Sequence, residues 1–104
     1  MTKYLLAYKG GGTPASESDR QAAMAAWGQW FGSLGAAVVD GGNPFGRSRG
    51  VAAGGGQGDG AGSALTGYSV LQAESLDAAA RMAAGCPILK SGGTVDVYET
   101  VNVM

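Results

Sequence analysis

Four segments of the chain carry the short hydrophobic pattern of β-strands. Residues 4–8 are a run of aromatic and aliphatic residues closed by glycines, and they predict a strand that is covered on both faces. Residues 36–40 and 65–73 predict two further strands, because each run ends at a turn or at a polar cluster. Residues 94–103 predict a fourth strand, since four valines alternate there with polar residues.

Two other segments carry a helical period, and each begins at a serine of the kind that caps a helix. Ser16 and Asp19 resemble a capping box, and apolar side chains then recur three or four residues apart until Gly35, which predicts a helix that ends there. The apolar face of this helix consists of Ala23, Trp27, Trp30, Phe31 and Leu34. Ser75 predicts the start of a second helix over residues 76–84.

The segment between residues 50 and 62 lacks a hydrophobic period, because seven of its thirteen residues are glycine. It predicts a flexible loop or the tip of a wide hairpin. Neither flank has enough apolar residues for a core of its own. Residues 1–104 are therefore interpreted as a single domain that contains a glycine-rich loop.

The order of predicted elements is strand, helix, strand, strand, helix, strand, which indicates the α+β class. It is typical of a ferredoxin-like βαββαβ domain, an antiparallel four-stranded sheet with both helices on one face. Strand alternation leaves tyrosines on the opposite face as well, and covering that face with an identical copy would remove them from water. The sequence thus predicts a homodimer in which the two sheets form a barrel-like cleft.

The amino-acid composition excludes several common kinds of catalytic and metal-binding site. The 104 residues include no histidine and one cysteine, so histidine-based triads, cysteine-rich zinc sites and intrachain disulfides are excluded, and no metal or cofactor is expected. Seven basic and eight acidic residues give a net charge of -1, which argues against nucleic-acid binding. No apolar run is long enough for a membrane span, and residues 1–9 do not resemble a secretory signal, so a cytoplasmic location is expected.

Candidate site residues lie near the predicted strand ends. Asp40 is the one candidate for catalysis, as a general base or a ligand clamp, although its carboxylate could instead bond amides of its own turn. Asn43 and Ser48 would offer neutral hydrogen bonds to the same pocket, or would simply form the turn. Tyr8 and Tyr68 would present hydroxyls to a small ligand, or would pack in the dimer interface.

Short motifs follow one another along nearly the whole chain outside residues 10–20 and the glycine-rich loop. They are KYLL at 3–6, WxxW at 27–30, DGGNP at 40–44, LTGYS at 65–69, ESLDAA at 74–79, GCP at 85–87 and GGTV at 92–95. In this order they resemble the YCII-related (DGPF) proteins of the dimeric α+β barrel superfamily. The resemblance implies a ferredoxin-like protomer, a homodimer and a small bacterial protein.

The resemblance supports the fold more than it supports catalysis. A histidine and an aspartate that act as a pair in some relatives align near Met24 and Ser33, and DGPF has only a partial counterpart at residues 42–45. We therefore expect a homodimeric YCII-like protein that binds a small organic molecule in a cleft at the sheet face, and we leave open whether it is an enzyme. Some proteins of the family that the chain resembles are linked to sigma factors. The alternative is therefore a non-catalytic regulatory or protein-interaction module.

Overall fold

The protein is an α+β domain built on a four-stranded antiparallel sheet. A computed structural model describes residues 1–12, 14–59 and 65–103. In chain order the elements are β1 (Thr2–Lys9), α1 (Glu17–Leu34), β2 (Val38–Asp40), β3 (Arg49–Val51), β4 (Gln57–Asp59), β5 (Leu65–Ala73), α2 (Leu76–Ala83) and β6 (Thr94–Glu99). The main sheet has the order β2-β5-β1-β6, which is compatible with the predicted ferredoxin-like arrangement.

Both helices begin and end where local side-chain chemistry predicts. The Ser16 hydroxyl accepts a hydrogen bond from the Asp19 amide at 3.1 Å, and Ser75 accepts one from the Ala78 amide at 3.0 Å. Helix α1 ends at Gly35, which has a φ of 55° and whose amide bonds the Phe31 carbonyl. Among the described residues, no helix is long and apolar enough to cross a membrane.

The core lies between one face of the sheet and the two helices. Tyr4, Leu6 and Tyr8 alternate along β1 and are buried on this face, beside the fully buried Leu71 of β5. Trp30 of α1 is the one buried residue of that helix, and its indole N–H donates to the Met82 carbonyl at 3.0 Å. Helix α2 contributes only small buried side chains, which lets it lie close to the sheet; these are Ala79 and Ala83.

The opposite face of the sheet has no helix over it. Cross-strand partners place Leu5 between Val70 and Tyr98, and Ala7 opposite Tyr68. The predicted division of the tyrosines between two faces is therefore confirmed, because strand alternation puts β1 tyrosines on the helix side and those of β5 and β6 on the other. We call this second surface the open face and define it by Leu5, Ala7, Tyr68, Val70 and Tyr98.

Two predicted strands were too long. Residues 35–37 form a 3-10 turn, so β2 begins only at Val38, and the Ala36 carbonyl instead accepts a hydrogen bond from Gln72 at 2.9 Å. The last strand ends at Glu99 rather than Val103. Both the amide and the hydroxyl of Thr100 still bond the Lys3 carbonyl, at 3.1 and 2.7 Å. The partner strand β1 begins at Thr2, so the valines that follow have no strand to pair with and are exposed.

The glycine-rich segment forms short strands of its own as far as it is described. Strands β3 and β4 form a separate antiparallel hairpin in which Arg49 pairs with Asp59 and Val51 pairs with Gln57. Every residue of β3 is exposed, including Val51. Residues 60–62, the end of the predicted loop, lie outside the described residues.

Alanine substitutions at two glycines test how tightly the turn after β2 packs on β5. Gly42 has a φ of 75°, and a Cβ atom there would collide with the Tyr68 carbonyl, so Gly42→Ala should lower the free energy of unfolding by roughly 2–4 kcal/mol. The matched control is Gly32→Ala, at an exposed helical position with open space around it, which should raise that free energy by up to about 1 kcal/mol. Urea unfolding of both variants gives the comparison, and equal effects would contradict this packing.

Candidate functional site

A cavity of about 520 Å³ lies on the helix side of the sheet, at the end of β1. Its described lining comes from the glycine turn after β1, one side of α1, residues 41–44, the start of β5 and the short 3-10 helix before β6. The residues most relevant to its chemistry are Tyr8, Arg20, Met24, Trp27, Phe31 and Asn43. A cavity of this size is in the range that holds a small organic ligand.

Aromatic rings form one wall of the cavity. Trp27 meets the Tyr8 ring edge to face, with centroids 5.2 Å apart, and lies 5.9 Å from Phe31. The buried Trp30 supports both α1 rings from behind, at 5.7 Å from Trp27 and 4.9 Å from Phe31. Because Trp27 and Phe31 are only partly buried, their outer surfaces remain available to a planar ligand.

A buried chain of hydroxyl groups lies beneath this wall. The Tyr8 hydroxyl donates to Ser69 Oγ at 2.7 Å, and Ser69 in turn donates to the Gly41 carbonyl at 2.7 Å. Burial raises the pKa of the Tyr8 hydroxyl, and it also raises the pKa of the neighbouring Cys86 thiol. Both groups are therefore neutral at pH 7, and the Tyr8 hydroxyl stabilises the fold at the cavity floor.

The turn after β2 uses the Asp40 carboxylate within the protein. The Gly42 amide donates to Asp40 Oδ1 at 2.9 Å, and the Tyr68 hydroxyl donates to Asp40 Oδ2 at 3.3 Å. Asp40 does not line the cavity, so the structure realises the turn-forming alternative at this position. Tyr68 also stacks on Phe45, with centroids 5.8 Å apart.

The structure brings three of the five predicted site residues to the cavity. Tyr8, Asn43 and Tyr68 line it, although the Tyr68 side chain belongs to the open face and contacts Asp40 and Phe45. Asp40 and the exposed Ser48 are not part of the lining. The predicted cleft was at the open face, but this cavity is on the helix side. Tyr8 faces the helices, and its register partner on β5 is the buried Gly67. A Cβ atom at Gly67 would lie 3.2 Å from the Asn43 carbonyl oxygen and 3.3 Å from Pro44 Cα, so this glycine lets the turn after β2 approach the strand.

Sequence reasoning missed the contribution of α1 to the cavity. Arg20, Met24 and Trp27 line it together, and their spacing of three to four residues places them along one side of the helix. The signal was available in that spacing, but Trp27 was placed on the apolar face of the helix, and Arg20 and Met24 were not considered as site residues. No group of three or more potential metal ligands occurs among the described residues.

Comparison of the chain with family models, with curated proteins and with solved structures gives no match. The fold and the site define the class on their own: an α+β domain with an aromatic-walled cavity between its first helix and its sheet.

The raised pKa of Tyr8 gives a pH dependence with a definite sign. Since the folded pKa lies above the ordinary value of 10.0, the stabilising contribution is fully present below pH 10 and is lost as the pH rises, because the unfolded chain ionises first. Tyr8→Phe should lower the free energy of unfolding by about 1 kcal/mol near neutral pH, through loss of the Ser69 hydrogen bond.

The same variant should be less sensitive to alkali than the wild type. Urea unfolding at about pH 8 and about pH 11 should show a smaller loss of stability in Tyr8→Phe, since the ionisable hydroxyl is gone. Parallel losses in the two proteins would contradict the assignment of a buried, neutral Tyr8.

Proposed function

We propose that the protein binds a small, planar, largely apolar molecule in the cavity between α1 and the sheet. The observation that carries this proposal is the aromatic wall: Trp27 and Phe31 offer partly exposed rings to a cavity of about 520 Å³. Burying such ring surface against a ligand is favourable by about 25 cal/mol per Å² before the costs of association.

The polar lining supports the same ligand class. The Tyr8 hydroxyl is taken by Ser69, the Thr66 hydroxyl bonds the Gly10 carbonyl at 3.2 Å, and the Ser91 hydroxyl bonds the Ile88 carbonyl at 3.1 Å. Polar groups that already have protein partners gain little from a ligand. Shape and apolar contact therefore dominate recognition, with the exposed Asn43 as a further polar contact.

We also propose that the chain is YCII-like, with a ferredoxin-like protomer whose open face is covered by a second copy. Support comes from the strand order and from the apolar open-face residues Leu5 and Val70, which are only partly buried in one protomer. Tyr98 of this face is 54% exposed, and Phe45, which stacks on Tyr68, is 47% exposed. A symmetric partner would remove these side chains from water and would complete the barrel. Such a protein would act in the cytoplasm.

Filling the cavity tests the binding proposal. N-phenyl-1-naphthylamine is a neutral planar probe whose fluorescence rises in apolar surroundings, and we expect the wild type to bind it. Ala23 lines the cavity, so Ala23→Phe should weaken binding at least about tenfold by occupying the space. Its neighbour Ala22 is exposed and lies outside the lining, so Ala22→Phe is the matched control and should bind as the wild type does. Equal affinities in the two variants would contradict the proposed site.

A charged substitution on the open face tests whether a second copy covers it. Val70 lies near the middle of that face, so Val70→Lys should shift the protein from dimer toward monomer, because pairing would bury an uncompensated ammonium group. Val101→Lys, at a position 74% exposed beyond β6, is the control and should leave the molar mass unchanged. Light scattering at micromolar concentration gives the mass, and a wild-type monomer would refute the dimer.

A further inference from the structure

Arg20 is the one charged side chain among the described residues that line the cavity. It lies in the first turns of α1 and uses two of its nitrogens on a single partner: Nε donates to Glu17 Oε2 at 3.0 Å, and Nη2 donates to Glu17 Oε1. This pairing lowers the pKa of the Glu17 carboxyl. Glu17 is not part of the lining, so the ion pair holds the guanidinium from outside the cavity.

The remaining guanidinium nitrogen has a much poorer partner. Arg20 Nη1 donates to the Met24 sulfur at 3.4 Å, and a thioether is a weak hydrogen-bond acceptor. Met24 also lines the cavity and is 62% exposed, so its side chain can be displaced at little cost. An anionic oxygen at this position would replace a weak contact with a charge-assisted hydrogen bond.

We propose that the ligand is an aryl acid, a planar apolar body that carries one anionic group such as a carboxylate. The ring body lies against Trp27 and Phe31, and the anionic group replaces the Met24 sulfur on Arg20 Nη1. This inference rests on the proposed binding function and adds the charge of the ligand to it.

Two fluorescent probes that share one ring skeleton separate charge from shape. N-phenyl-1-naphthylamine is neutral, and 8-anilino-1-naphthalenesulfonate adds an anionic group to the same rings. The measured quantity is the ratio of their dissociation constants, anion over neutral. Arg20→Gln should raise this ratio about fivefold, whereas Glu17→Gln should lower it, because the carboxylate no longer competes for the guanidinium.

Two further variants control for charge and folding. Arg20→Lys retains the cation and should bring the ratio back toward the wild-type value. Arg81→Gln removes an exposed arginine on α2, outside the cavity, and should leave the ratio unchanged. Thermal unfolding of each variant establishes that the folded protein is compared.

The outcomes distinguish the two proposals. An unchanged ratio in Arg20→Gln, with neutral-probe binding still blocked by Ala23→Phe, overturns the aryl-acid inference and leaves the apolar cavity intact. Failure of the neutral probe to bind, or binding that Ala23→Phe does not weaken, overturns the proposed function and this inference with it.

Discussion

The pleat of β1 is the constraint on which the rest of the structure depends. Hydrogen bonds to β5 on one side and β6 on the other fix the register of this strand along its length, so every second side chain must face the helices. Tyr4 and Leu6 fill the core there, while Leu5 remains on the open face. A shift of one residue would bury the wrong set, and the two strands that pair with β1 prevent it.

The cavity is a consequence of how that core is filled. Trp30 is buried and bonded to α2 through Met82, so it fixes α1 over the sheet. Trp27, one turn earlier, is left over the end of β1, where its ring meets that of Tyr8. The ring surfaces of Trp27 and Phe31 that stay outside the core form one wall of the cavity. The same helix supplies Arg20 at the edge of that space.

Local chemistry could be predicted from the sequence, and pairing between distant segments could not. Ser16, Ser75 and Gly35 mark helix ends through bonds to residues a few positions away, so sequence alone locates them. The end of β6 depends instead on where its partner β1 begins, at Thr2, which the alternation of valines does not reveal. For the site, Tyr8 and Asn43 were recognised as candidates. The cavity on the helix side was not predicted, because it depends on where α1 leaves the core unfilled.

The β3–β4 hairpin has a consequence for how stability is distributed along the chain. It forms its own two-stranded sheet, and all of β3 is exposed, so its ladder is not covered by the main core. Isolated two-stranded ladders are marginal in water. The hairpin can therefore open without global unfolding. Its amide hydrogens should exchange with solvent far sooner than those of β1, whose hydrogen bonds break only when the whole domain unfolds.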